Sequence, residues 1–209
     1  MLSRNSIFSA FLFVISVHAS AQELQVVAKH HSVTENIVRD KLLLVVEKYK
    51  LSRWMTTNTV VIDDTVKIPR SHPVLTINGI ATPTSPVLDE LELVAIFVHE
   101  QSHWNQIENG RSGPGESAAA IKQFASGLRY EFPYGDGGEE RTLNHIPVCY
   151  MEYRVLSKLF GEAYAKDNLE KRHYYKDVYA FVLNSKNHAA IDRYLKDEGI
   201  SPDQFQPAK

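Results

Sequence analysis

The elements predicted from the sequence run in the order helix, two short strands, then helices to the C-terminus. That order points to an α+β domain, mainly helical, with a small β-sheet. Three observations lead there. A capped helix lies near the N-terminus, two brief β-branched runs fall between residues 59 and 77, and helical patterning dominates after residue 86. At 209 residues and 44% apolar content, the chain can bury the core of one domain.

Taken in order, residues 1–21 read as a secretory signal peptide rather than part of the fold. Arg4 precedes an apolar run over residues 7–17, and Ala19-x-Ala21 offers the small residues a signal peptidase requires. The run is about half the ~20 residues of a spanning helix, and no later stretch is long enough either. The expected mature chain is therefore one domain over residues 22–209, exported to the periplasm or secreted, with no membrane span. Its first helix covers residues 33–50, opened by the capping box Ser32-x-x-Glu35 and carrying Ile37, Leu42, Leu44, Val45 and Val46 as a broad apolar stripe. Residues 59–62 and 74–77 read as strands, the second ended by the turn signal Asn78-Gly79. After a proline-rich connection over 81–86, a long helix is expected from about 86 to 109, with Ser85 as cap, Pro86 in the first turn and Gly110 as its stop. Further helices are expected over 116–128 and 144–160, separated by the glycine-rich stretch 132–140. Two or three short tyrosine-rich helices fill 162–199.

Charge and cysteine content narrow the function classes. The net charge of −2 and the lack of a basic run give no footprint for nucleic acid. The single cysteine, Cys149, rules out an intrachain disulfide. It falls within an apolar helical pattern and reads as a small core residue. The oligomeric state has no signature in the sequence.

One short segment carries chemistry. His99-Glu100-Gln101-Ser102-His103 continues the apolar run of residues 91–98 on the predicted long helix. Positions i and i+4 share a helix face, so two imidazoles spaced this way can reach one tetrahedral Zn²⁺ at ~2.0–2.1 Å. The side chain of Glu100 projects ~100° round the helix from His99. A carboxylate there can act as general base toward water and then as acid toward the leaving group. Two histidines and a glutamate on a buried helix are costly unless paired or bound to metal. The rival reading is a pair of core histidines bonded to neighbours.

Residues 91–104, and VAIFVHEQSHW within them, resemble the active-site helix of the zincin metallopeptidases. The resemblance implies a zincin-like domain with one Zn²⁺ per chain and a peptide or protein substrate cleaved by water without a covalent intermediate. The extended metzincin pattern does not fit, because Gln106 and Asn109 stand where it has glycine and histidine. The third ligand must come from elsewhere, and the downstream candidates are Glu108, Glu116, Asp136, Glu139, Glu140, His145, Glu152 and His173.

Glu152 stands out among them. It falls in the middle of the stripe formed by Val148, Cys149, Val155, Leu156 and Leu159, where an ionised carboxylate needs a partner. A metal would serve; the alternative is an ion pair with Arg154 or Lys158. Ligation by two histidines and a glutamate from a second helix resembles the gluzincin branch, and the segment is similar to bacterial metallopeptidases. His145 lies seven residues earlier, about two full turns, and shares the face of Glu152. It is expected either to stabilise an oxyanion beside the metal, to orient Glu152, or to cap the helix start, with Pro147 in the first turn. The predicted site is thus His99, His103 and Glu152 as metal ligands with Glu100 and His145 catalytic. A zinc deacetylase or amidase of the cell envelope, and a metal-dependent binding module, are the competing functions. The intact Glu100 weighs against the second, since binding alone needs only the ligands.

Overall fold

The computed structural model describes residues 23–78 and 89–207. The expected signal peptide, the end of the Asn78-Gly79 turn and the proposed Ser85–Pro86 helix start lie outside these residues. Seven helices and a three-stranded sheet make up the described chain, an α+β arrangement that is mainly helical.

The sheet is all parallel. Strand β1 (Gln25–Ala28) pairs with β2 (Thr59–Ile62), and β2 pairs with β3 (Leu75–Ile77), giving the order β1-β2-β3. β1 escapes the sequence pattern because four residues alternating in exposure do not separate from a loop. Helix α1 (Val33–Lys48) makes the crossover between β1 and β2, as parallel strands require. Its capping box forms: Ser32 Oγ accepts from Glu35 N at 3.1 Å, and Glu35 reaches back to the Ser32 amide. Of its apolar residues, Val38, Leu42 and Val45 go into the core, while Ile37 and Leu44 face outward. The link from β2 to β3, residues 63–74, folds back along the outer edge of β3. Arg70 and Thr76 exchange two backbone hydrogen bonds there, at 3.0 and 2.8 Å. This covers one open edge of the sheet and sets Lys67, Ile68 and Pro69 beside the next helix.

That helix, α2 (Glu90–Asn109), is the long helix read from the sequence. Asp89 caps it, accepting from Glu92 N at 2.8 Å, and Gly110 ends it. Leu93, Val94, Phe97 and Val98 are fully buried. Burying such side chains is worth ~1.5–3 kcal/mol each, so the helix is fixed by its packing. Its outer end is tied to the 63–74 link, where Trp104 Nε1 donates to Ser71 O at 2.8 Å and the Trp104 and His72 rings stack at 4.1 Å.

Helix α3 (Pro114–Lys122) begins two residues before the sequence predicts, with Pro114 at its first position. Helix α4 (Glu139–Phe160) is the centre of the C-terminal half and packs against α2, α3, α5 (Glu162–Glu170), α6 (Lys176–Leu183) and α7 (His188–Glu198). It starts five residues earlier than predicted. Gly138 O accepts from Thr142 N at 3.0 Å, and Glu139 and Glu140 occupy the first turn, where the helix dipole favours acids. Pro147 therefore lies inside the helix rather than in its first turn, and its missing N–H leaves the Leu143 carbonyl without the usual i−4 donor. The glycine-rich stretch before α4 is closely packed. A Cβ on Gly135 would sit 2.4 Å from Thr142 Oγ1 and 2.7 Å from Arg129 O, so no side chain fits there.

Candidate metal centre and active site

Packing of α4 across α2 brings three imidazoles together. His99 and His103 stand one turn apart on α2, and His145 approaches from the second turn of α4. Their ring centroids are 5.1 Å apart for His99 and His103, 4.7 Å for His103 and His145, and 5.8 Å for His99 and His145. One nitrogen from each falls within 4.8 Å of the others.

Second partners fix two of these rings. His145 Nδ1 lies 2.9 Å from the Arg141 carbonyl, one turn earlier on α4, and a carbonyl can only accept. His99 Nδ1 lies 2.9 Å from Glu152 Oε2. Assigned from these partners, both rings carry the proton on Nδ1 and leave Nε2 with a free lone pair. A protonated Nδ1 held by a carboxylate or carbonyl is the arrangement that orients a metal-ligating histidine and raises its basicity. Burial favours the neutral ring at two of the three histidines, His103 and His145. Burial pushes the His145 pKa down to about 4, helped by the His99 charge. His103 is pushed below its ordinary value by burial and by the neighbouring imidazoles His145, His99 and His72. For His99, burial lowers the pKa and the bond to Glu152 outweighs it, so the net shift is upward. The chemistry of this donor set suits Zn²⁺.

Glu152 was expected as the third ligand. Its Oε2 lies against His99 Nδ1 and accepts from the Tyr179 hydroxyl at 2.7 Å, and Arg172 Nη2 is 3.7 Å from Oε1. Burial raises its pKa, but these bonds and charges hold it below the ordinary carboxylate value. The cation that compensates it is Arg172. Arg154 and Lys158, the partners conceivable from the sequence, pair with Asp192 and Asp203. Arg172 also bonds Glu92, so it ties the start of α2 to the middle of α4. A second donor group, His99 with Cys149 and Glu152, shares this hydrogen-bonded His99–Glu152 pair. Its thiol is fully buried and held protonated by that burial.

Glu100 is 7% exposed, and neither carboxylate oxygen has a hydrogen-bond partner among the described residues. Burial raises its pKa to about 7; the His99 charge opposes the shift and Glu152 adds to it. Together with His99, Glu152 and Asp136 it lines a cavity of about 550 Å³. Tyr175 closes one side. Its backbone is left-handed at φ 53°, and its ring lies 4.2 Å from His145 and 6.0 Å from His99, parallel to the latter within 3°. Asp136 lies 3.8 Å from His145.

The remaining candidates lie elsewhere. Glu139 pairs with Lys122 at 2.8 Å and Glu116 caps α3 at 3.4 Å. Glu108 approaches His72 at 4.0 Å, and Glu140 and His173 are exposed. Sequence reasoning missed Arg172 and singled out none of the tyrosines. The only trace of their role is the cation demand created by Glu152 on a buried stripe. No helix among the described residues is long and apolar enough to cross a membrane. Comparison with protein-family models, curated proteins and solved structures gave no match.

Proposed function

We propose that this chain is an exported zinc-dependent hydrolase of the zincin type, acting on peptide bonds, with one Zn²⁺ held by His99, His103 and His145. The observation that carries the reading is the convergence of three imidazoles, two of them held at Nδ1, beside a buried carboxyl group that has no hydrogen-bond partner among the described residues. Bound there, the ion would act as a Lewis acid toward a carbonyl and make water nucleophilic near neutral pH. His99, His103 and His145 would hold it as three protein ligands, which would leave room for water or substrate.

The assignment moves His145 into the ligand set and gives Glu152 the task of orienting His99. Glu100 is the general base. Burial raises its pKa above the ordinary carboxylate value, which increases its proton affinity as a base. It takes a proton from the attacking water and returns it to the leaving amine. Tyr175, packed against His145 and His99, shields one side of the reacting groups from water, which strengthens the electrostatic interactions there.

Metal analysis of the purified protein, combined with assays on a mixed peptide library with and without chelator, tests the reading. About one zinc per chain and chelator-sensitive cleavage are expected. Glu100→Gln should keep the zinc and lose ~10²–10⁴-fold in rate. Full activity in that variant, or a parent protein that takes up no zinc, would defeat the proposal.

A further inference from the structure

Three exposed large apolar side chains gather at the catalytic cleft. Ile68 is 63% exposed, Phe132 59% and Tyr174 48%. All three line the cavity of about 550 Å³ that contains His99 and Glu100, together with Pro69 and Ile96. They arrive from three separate stretches: the link folded along β3, the loop before α4, and the connection from α5 to α6. The Phe132 and Tyr174 rings are in contact at 5.2 Å. Exposed apolar residues scattered singly need no explanation, but a contiguous group beside reactive groups marks a place where something apolar binds.

The other side of the imidazole cluster is different. His103 lines a smaller pocket of about 140 Å³. Its polar groups satisfy one another: Ser117 Oγ lies 2.6 Å from the Tyr194 hydroxyl and donates to Asn144 Oδ1 at 2.8 Å, and Ser112 Oγ donates to Glu198 Oε1 at 2.7 Å. That pocket has about a quarter of the volume of the first, and Ile107 and Pro114 supply its apolar lining.

Resting on the hydrolase reading above, we infer that the wall of Ile68, Pro69, Ile96, Phe132 and Tyr174 is a specificity subsite for an aromatic or long aliphatic side chain of a peptide, on the residue flanking the scissile bond on the His99 side. The cleft is amphipathic in the way a peptide is. Its floor carries Glu100 and Asp136, which face the polar backbone, and its wall takes the side chain. Because His99 and Glu100 belong to the same cavity, a side chain on that wall belongs to a residue at the reacting bond rather than to one several positions away.

Two end-blocked peptides differing only at the flanking residue, Phe against Ala, provide the kinetic test on zinc-loaded protein. The expected kcat/KM is at least ~10-fold higher for the Phe peptide. Phe132→Ser and Tyr174→Ser should bring the two peptides near parity, the Phe peptide losing its advantage mainly through KM. A binding test runs in parallel and needs no turnover: calorimetric titration of Glu100→Gln protein with N-acetylphenylalaninamide and N-acetylalaninamide. The Phe probe should bind more tightly, and adding Phe132→Ser should abolish the difference. Equal binding of the two probes, or a Phe132→Ser loss shared equally by both peptides, overturns the subsite. Discriminating binding without hydrolysis of either peptide supports the subsite and removes the hydrolase reading instead.

Discussion

Among the described residues, histidine and carboxylate side chains gather at the N-terminal edge and in the interior, and the two groups are bonded differently. At the N-terminal edge, His30, Glu35 and Asp63 offer three ligand atoms within 4.8 Å of one another, as do His99, His103 and His145 in the interior. The N-terminal carboxylates already have partners. Glu35 accepts from the His30 amide at 2.7 Å, the Ser32 amide at 3.4 Å and the Asp64 amide at 3.2 Å. Asp63 accepts from Lys29 Nζ at 2.6 Å and from the Thr65 amide and hydroxyl at 3.0 and 2.5 Å. Both carboxylates are thus already engaged in holding the ends of β1 and β2 and the start of α1. In the interior the pattern is reversed: the protein binds the Nδ1 side of His99 and His145 and leaves the other nitrogen free. Proximity of donors is common to both regions, and the destination of their lone pairs separates them.

Removing histidines breaks that comparison most directly. His103→Ala and His145→Ala should each lose zinc and with it all hydrolysis, while His30→Ala keeps the parent zinc content; metal analysis after gel filtration reads all three. Zinc lost from the His30 variant would show that the N-terminal group is the site. Glu152→Gln comes next and sharpens the assignment. If Glu152 orients His99 from behind, the variant should still take up zinc with affinity lowered ~10–100-fold. If Glu152 is itself a ligand, His145→Ala will retain zinc and Glu152→Gln will not.

The third change acts on stability. Glu35→Ala removes the acceptor of three backbone amides and half of a capping box, so it should cost about 1–3 kcal/mol in denaturant unfolding and leave zinc content alone. The smallest effect concerns pH. The bonds from Lys29 and Thr65 hold the Asp63 pKa below the ordinary carboxylate value, against an opposing contribution from burial. A depressed folded-state pKa gives stability that is present above the ordinary carboxylate range and lost as pH falls through the folded value. Asp63→Asn should therefore flatten the acid limb of the stability curve below about pH 4. An unchanged acid limb would mean that other carboxylates set it.

Local signals carried a good part of this. The capping box at Ser32 and Glu35, the α2 motif with its Gly110 stop, and the shared face of His145 and Glu152 are all short-range patterns, and each takes the position its spacing implies. The parallel pairing of the strands was not legible, since it depends on contacts between residues far apart in the chain. Nor could spacing decide which residue of the α4 face meets the α2 histidines. That depends on how far α4 slides along α2, and the slide follows from where α4 begins. Starting at Glu139 places His145 in the second turn, level with His99 and His103, and sets Glu152 behind His99. Arg172 and Tyr179 were hidden for the same reason: they reach Glu152 only through the docking of the α5–α6 segment.

The three imidazoles are divided between α2 and α4, which meet only through tertiary packing. An ion held by both helices binds the folded chain and has no equivalent site in the unfolded one. By mass action it would contribute ~2.7 kcal/mol at a hundred times its dissociation constant, all of it applied to the joint between these two helices. The β1-α1-β2 unit supplies none of the three ligands and would share in that gain only as far as it melts together with the helices. Melting curves recorded across a zinc titration would thus measure the cooperativity of the domain: one transition moving as a whole if the halves are coupled, and a zinc-insensitive early step if they are not.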